Sequence, residues 1–209
     1  MSSLNFDGLI FDLDGTLWDC SRLSTQAWNT LFQKHDLPMI QVEDLRSVTG
    51  KPFAECVATL CPQSIFEVNE LIKILDEAEW NHLQGKHGDI YPRVTETLLA
   101  LKKYYPLFIV SNCQAWYLEN FKKHAPIGTF FKDFECIGNT KQPKSHNIKL
   151  VMQRNNLTKA LYIGDTLSDF TAAKAAKIPF LQVTYGFGKK LDDCDKISSF
   201  DEILNYLQL

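Results

Sequence analysis

The stretch Gly8-Leu9-Ile10-Phe11-Asp12-Leu13-Asp14-Gly15-Thr16-Leu17 decides the reading of this 209-residue chain. Leu9 to Leu13 are rich in β-formers and predict a buried strand. Asp12 and Asp14 then project from its carboxyl end, on the same side, because strand side chains alternate with period two. That end is where open α/β sheets bind ligands. Two unit charges about 4 Å apart repel by roughly 4 kcal/mol at an effective dielectric near 20, so two carboxylates held this close ask for a cation.

Downstream of Leu17 the period changes from strand to helix. Ala27, Leu31 and Phe32, with Trp28 alongside, sit at helical spacing on one face that stops before Pro38, and Val42, Leu45 and Val48 form a second, ending at Thr49-Gly50. Pro52 suits the first turn of a third helix carrying Phe53, Cys56, Val57 and Leu60. Val68, Leu71, Ile72, Leu75 and Ala78 predict a fourth and longest helix from Ser64 to about Leu83. No strand signal interrupts them. Roughly seventy residues of helix are too many for a strand-to-helix connection of about 2 to 6 residues, so they read as a helical cap domain. The turn formers of Gly85 to Pro92 bring the chain back.

From there helices and strands alternate. A helix through Val94, Leu98 and Leu101 precedes a strand at Leu107–Val110 that ends at Ser111-Asn112. A helix with Trp116, Tyr117 and Phe121 leads to a short strand near Phe134–Ile137, then a helix from about Ser145. A strand at Ala160–Ile163 ends at Gly164-Asp165 and is followed by a helix over Asp169–Ala176. A strand at Phe180–Val183 and a helix at Phe200–Leu207 close the sequence. Alternation of this kind predicts an α/β fold with a doubly wound parallel sheet, its core formed by residues 1–17 and 90–209 and its cap by 18–89. In such a sheet the strand ends face one crevice, so the polar residues after each strand would converge there.

The composition is 45% hydrophobic and 22% charged with a net charge of -3, which favours neither a nucleic-acid nor a membrane surface. No stretch approaches the roughly 18 uninterrupted apolar residues of a membrane span, and the first residues lack the basic segment of a secretory signal. A cytoplasmic location is the expectation. The six cysteines show no C-x-x-C pair or metal spacing, so they read as reduced core residues, with Cys113 the one to watch beside Ser111-Asn112.

In order and spacing these strand ends resemble the haloacid dehalogenase superfamily of phosphohydrolases, in the phosphoglycolate phosphatase-like subgroup with a helical cap after the first strand. Asp12-Leu13-Asp14-Gly15-Thr16 matches the first family motif, Ser111-Asn112 the second, Lys144 the third, and Gly164-Asp165 with Asp169 the fourth. Lys144, at the head of a predicted helix, fits the third motif better than its neighbours Lys141 and Lys149.

The resemblance implies a magnesium-dependent phosphatase for a small-molecule phosphomonoester. Asp12 would be the nucleophile that becomes an aspartyl-phosphate and Asp14 the general acid and base. Thr16, Ser111, Asn112 and Lys144 would hold the phosphate. Mg2+ would be bound by Asp12, Asp14 through its backbone carbonyl, and Asp165, with Asp169 orienting Lys144 or a metal-bound water. Transport ATPases carry Thr where Asp14 stands and dehalogenases lack that acid, so Asp14 points to phosphate esters. Relatives place a substrate-facing loop at Thr49-Gly50-Lys51, making Lys51 a candidate cap contact.

Trp18 and Asp19 suit either the entrance or hinge packing, and Tyr185-Gly186-Phe187-Gly188 resembles the family's glycine-rich rim loop. Arg93 stands where relatives often have glycine. The alternatives are a sugar phosphomutase of the same subgroup and a non-catalytic phosphate-binding regulatory protein.

Overall fold

Gly8–Phe11 form strand β1, and all four residues are buried because the strand is central and covered on both faces. The computed structural model describes residues 6–62 and 67–209. The remaining elements in chain order are β2 (Trp18–Asp19), α1 (Ser21–Lys34), α2 (Val42–Val48), α3 (Phe53–Leu60), α4 (Val68–Leu83), β3 (Asp89–Ile90), α5 (Val94–Leu101), β4 (Leu107–Ser111) and α6 (Ala115–His124). They continue with β5 (Asp133–Cys136), α7 (Ile137–Thr140), α8 (Lys144–Arg154), β6 (Ala160–Gly164), α9 (Leu167–Ala176), β7 (Phe180–Val183), β8 (Asp195–Ile197) and α10 (Glu202–Tyr206).

The main sheet is parallel, in the order β5-β4-β1-β6-β7-β8. Side-chain alternation divides its core in two. Leu9, Phe11, Ile109, Leu161 and Ile163 point to one face, where α5, α6 and α10 contribute Leu98, Phe121 and Ile203. Ile10, Phe108, Val110 and Tyr162 point to the other, against Ile148 and Val151 of α8 and Ala172 and Ala173 of α9. Helices on both faces of a parallel sheet are the doubly wound arrangement.

Register places the chemistry. Phe11 pairs with Ile109 of β4 and with Ile163 of β6, so the residues just beyond these three strands finish side by side. Successive strands run from β1 through β4 to β5 on one side and from β6 outward on the other. Asp12 therefore stands at the switch point of the sheet, where a crevice opens.

The four helices after β2 gather around a separate apolar cluster that includes Ala27, Trp28, Phe32, Leu45, Val57, Leu71 and Leu75. They form a helical unit with its own apolar core, in the place where a cap is expected. The expected start of α4 at Ser64 lies outside the described residues; within them the helix begins at Val68.

Two differences from the sequence expectation stand out. The segment read as free of strand begins in one, and its partner lies in the return stretch read as turn: Trp18 pairs with Ile90 and Asp19 with Asp89 in an antiparallel ladder where the chain leaves and re-enters the sheet domain. Two residues are too few for any periodicity to register. The edge strand β8 was also not expected, because only Ile197 of its three residues is buried. Arg93 adopts the left-handed conformation at φ 66° just before α5, a backbone that glycine takes without strain.

Candidate active site

The turn after β1 is closed by Leu17 N–H donating to Leu13 O (2.9 Å) and Gly15 N–H donating to Trp18 O (3.0 Å). Gly15 sits at φ 81°, and a Cβ there would strike the Asp165 carboxylate. Only glycine lets the loop lie this close to β6. The turn separates the two acids by environment, although both line one cavity.

Asp12 is 1% exposed and its Oδ1 accepts from Lys144 Nζ at 2.9 Å. Burial pushes its pKa up to about 6, Asp169 adds to the rise, and Lys144 opposes it. Asp14 has no cationic partner among the described residues. Its Oδ1 accepts from Tyr117 Oη at 2.6 Å and Trp18 Nε1 at 2.9 Å. Burial raises its pKa to about 7, assisted by Asp12 and countered by the Tyr117 and Trp18 donors.

Behind Asp12 stand Asp165, at the end of β6, and Asp169, in the first turn of α9. One carboxylate oxygen from each of the three lies within 4.8 Å of the others. Asp169 divides its oxygens. Oδ2 accepts from Thr166 N (2.9 Å) and Thr166 Oγ1 (2.6 Å), completing a capping box with Thr166, while Oδ1 accepts from Lys144 Nζ at 2.6 Å. It thus both starts a helix and holds the lysine. Burial presses the Lys144 pKa down, but Asp12 and Asp169 outweigh it and the net shift is upward. Of the neighbouring lysines, Lys141 and Lys149 are exposed.

Burial, Asp169 and Asp12 together push the Asp165 pKa well up. Three carboxylates against one lysine leave an excess of buried negative charge. This all-oxygen donor set fits a hard divalent cation such as Mg2+.

Several expected site residues take more specific positions than their motifs imply. Thr16 is fully buried and does not line the cavity; its Oγ1 donates to Asp165 Oδ1 at 3.4 Å. The 185–188 loop wraps Asp165: Phe187 and Gly188 N–H donate to Oδ2 at 2.7 and 3.2 Å, and Tyr185 Oη donates to Thr16 O at 2.7 Å. Gln182 Nε2 donates to Asp165 O at 2.9 Å.

Ser111, Asn112 and Lys51 line the cavity, and Asn112 Nδ2 donates to Gly50 O at 2.9 Å, joining the core to the 49–51 cap loop. Cap and core also meet where Trp116 Nε1 donates to Asp76 (2.8 Å) and the Trp80 and Trp116 rings pack at 5.4 Å. Cys113 lines the cavity too, but burial lifts its thiol pKa well above normal, which makes it a poor nucleophile.

Trp18 is fully buried, packs edge-on against Phe121 at 4.9 Å, and is a donor to Asp14 rather than an entrance residue. Asp19 pairs with Arg46 of α2 at 2.5 Å.

Sequence reasoning missed Tyr117 as a partner of Asp14, since 103 positions separate them. It also missed Glu79, which is 6% exposed and lines the cavity from α4. A signal for Glu79 exists: Leu71, Leu75, Glu79 and Leu83 recur every fourth residue, and all are buried, so an acid occupies an apolar stripe.

The family model of haloacid dehalogenase-like hydrolases matches residues 9–183. A phosphoglycolate phosphatase of Photobacterium profundum is 26% identical over 198 residues, covering 87% of this chain and 86% of that protein. The pyrophosphatase PpaX of Bacillus velezensis is 25% identical over 181 residues, covering 84% and 82%. A haloacid dehalogenase-like hydrolase structure from Streptococcus pneumoniae superposes with a TM-score of 0.85 at 25% identity over the whole of both chains. With the acids gathered at the switch point of its sheet, this chain belongs to the haloacid dehalogenase-like hydrolases.

Proposed function

We propose that the chain is a magnesium-dependent phosphatase that hydrolyses a small phosphomonoester through an aspartyl-phosphate on Asp12. The observation that carries this reading is the pair of carboxylates in one cavity with different partners, a lysine for Asp12 and two neutral donors for Asp14. The names of the phosphoglycolate phosphatase and pyrophosphatase relatives support it. We place the division between core and cap at residues 17/18 and 89/90, with the β2–β3 ladder as the crossing.

In the first step the Asp12 oxygen left free by Lys144 attacks phosphorus, the bond from phosphorus to the ester oxygen breaks, and Asp14 gives its proton to that oxygen. A carboxyl pKa near 7 suits this exchange near neutral pH. In the second, Asp14 takes a proton from water, the water oxygen attacks phosphorus, and the acyl phosphate bond breaks to return Asp12. Ser111 and Asn112, at the end of β4, line the cavity and would face the phosphate, and Lys144 orients Asp12.

The Asp12 and Asp165 carboxylates, with the Asp14 carbonyl and Asp169 nearby, would hold Mg2+, which supplies Lewis-acid polarisation of the phosphoryl group and neutralises its charge. Thr16 keeps Asp165 in place. The helical cap excludes water and meets the leaving group. No helix among the described residues is long and apolar enough to cross a membrane.

A magnesium-supplemented screen of phosphomonoesters for phosphate release tests the reading, with Asp12→Asn as the blank. Phosphate release that equals the blank on every ester, including a generic aryl phosphate, overturns it.

A further inference from the structure

Glu79 has no role in the chemistry above, yet its placement is costly. It lies on the buried stripe of α4, its pKa is pushed up to about 7 by burial, and no basic side chain pairs with it among the described residues. Ser24 and Trp28 are the polar groups turned towards it, and they offset the burial only in part. Trp28 Nε1, itself on a residue 1% exposed, has no hydrogen-bond partner at acceptable geometry. A buried carboxylate without a cation either holds its proton or meets a cation supplied from outside. Here the open side of Glu79 is the cavity, of about 80 Å³, that Asp12 and Asp14 also line.

Aromatic residues share that wall. Trp28 and Phe53 both line the cavity, with ring centroids 5.7 Å apart and planes at 85°. Rings set at a corner beside an acid are suited to an organic cation, because the ring quadrupole and the carboxylate attract it together. The cationic side chain that lines the cavity among the described residues, Lys51, is exposed, so water screens it. A carboxylate-bearing leaving group would instead have to sit in a small cavity with Glu79 and Asp14 already in its walls.

We infer that the substrate is the phosphate ester of a small amino alcohol, its ammonium group received by Glu79 against Trp28 and Phe53 while its phosphate meets Asp12. This rests on the phosphatase reading and names its substrate class. Glu79 would then be the residue that sets specificity.

Three esters of nearly equal size test it: 2-aminoethyl, 2-hydroxyethyl and carboxymethyl phosphate, assayed with Mg2+ beside an aryl phosphate. The expected order of kcat/KM is amine, then hydroxyl, then carboxylate, with the amine about 100-fold or more above the carboxylate, the scale of a buried charge contact. In Glu79→Gln the preference for amine over hydroxyl should shrink about tenfold. Carboxymethyl phosphate as the best of the three, or an amine-to-hydroxyl ratio the same in Glu79→Gln, overturns the inference.

Turnover of the aryl phosphate without an amine preference would overturn it while leaving the phosphatase reading intact. If no ester is hydrolysed, the phosphatase reading fails, and calorimetric titration of 2-aminoethyl and carboxymethyl phosphate into the magnesium-loaded protein decides the recognition by Glu79 alone: tighter binding of the amine supports that recognition, equal or weaker binding overturns it. The wild-type comparison stands even if the variant does not fold.

Discussion

The Tyr117 hydroxyl donates to Asp14 Oδ1 at 2.6 Å, and the indole of Trp18 donates to the same oxygen, so neither occupies the second oxygen of Asp14, the one that the proposed mechanism turns to the leaving group. Tyr117 lowers the Asp14 pKa from where burial alone would set it. Tyr117→Phe should therefore shift the pKa above 7 and move the alkaline limb of kcat/KM for an alkyl phosphate to higher pH. The loss of one hydrogen bond to a charged group should cost about tenfold in rate. A pH–rate profile of the variant superimposable on wild type would remove Tyr117 from the mechanism.

Lys144 bridges Asp12 and Asp169 at 2.9 and 2.6 Å with all three side chains buried. Lys144→Met breaks both pairs and leaves the acids uncompensated, which should lower stability by about 3–5 kcal/mol in EDTA. Added Mg2+ should recover part of that loss, because it brings positive charge to the same acids. Urea denaturation with and without the metal measures both effects.

Metal affinity should fall with acid. Asp12 is raised to about 6 and Asp165 is raised as well, so both hold protons at mildly acidic pH that a cation must displace. Between pH 7.5 and pH 5 the apparent Mg2+ affinity should drop by at least about tenfold, read as a shrinking increase in Tm at fixed metal. A constant shift in Tm across that range would argue against these acids as ligands.

Glu79 makes a separate contribution to stability. Its folded pKa of about 7 lies above the ordinary 4.5, so the folded state binds the proton more tightly than the unfolded chain. The associated stability is complete below about pH 4.5 and is lost as pH rises through 7, a change on the order of 3 kcal/mol. Glu79→Gln should remove that dependence, so its stability relative to wild type should be higher at pH 8 than at pH 5 by about this amount. Denaturation curves at the two pH values decide.

Arg93 at φ 66° carries a strain of roughly 1 kcal/mol that glycine does not. Arg93→Gly should raise stability by about 0.5–1 kcal/mol, and Arg93→Val should lower it by more than that, since β-branched side chains tolerate this backbone least. Thermal melts of both variants check the sign.

The strands that build the crevice were legible because β1, β4, β6 and β7 are covered on both faces, which writes them as nearly continuous apolar runs, Gln182 being the interior exception. The cap helices were legible from their 3.6-residue period. Short pairings left no such mark: β2 and β3 meet over two residues, and β8 buries one.

Within the site, the acids stood out because each follows a strand or opens a helix, and Lys144 because it stands where the family resemblance places a lysine at the head of a helix. Their partners could not. Thr16 carries a hydroxyl that suits phosphate equally well in sequence, and only the fold turns it towards Asp165. The glycines at 186 and 188 read as a loop, whereas their function is to let backbone N–H groups approach Asp165 closely. Glu79 was visible as a break in a stripe, but a break does not say what lies opposite.

Trp18 belongs to two structures at once. Its backbone pairs with Ile90 at the crossing between cap and core, and its indole donates to Asp14. The ladder and the acid are thus tied through one residue. On the proposed phosphatase reading, a cap movement that bent the ladder would be felt at Asp14 through this indole, which would couple closure over a substrate to readiness for proton transfer.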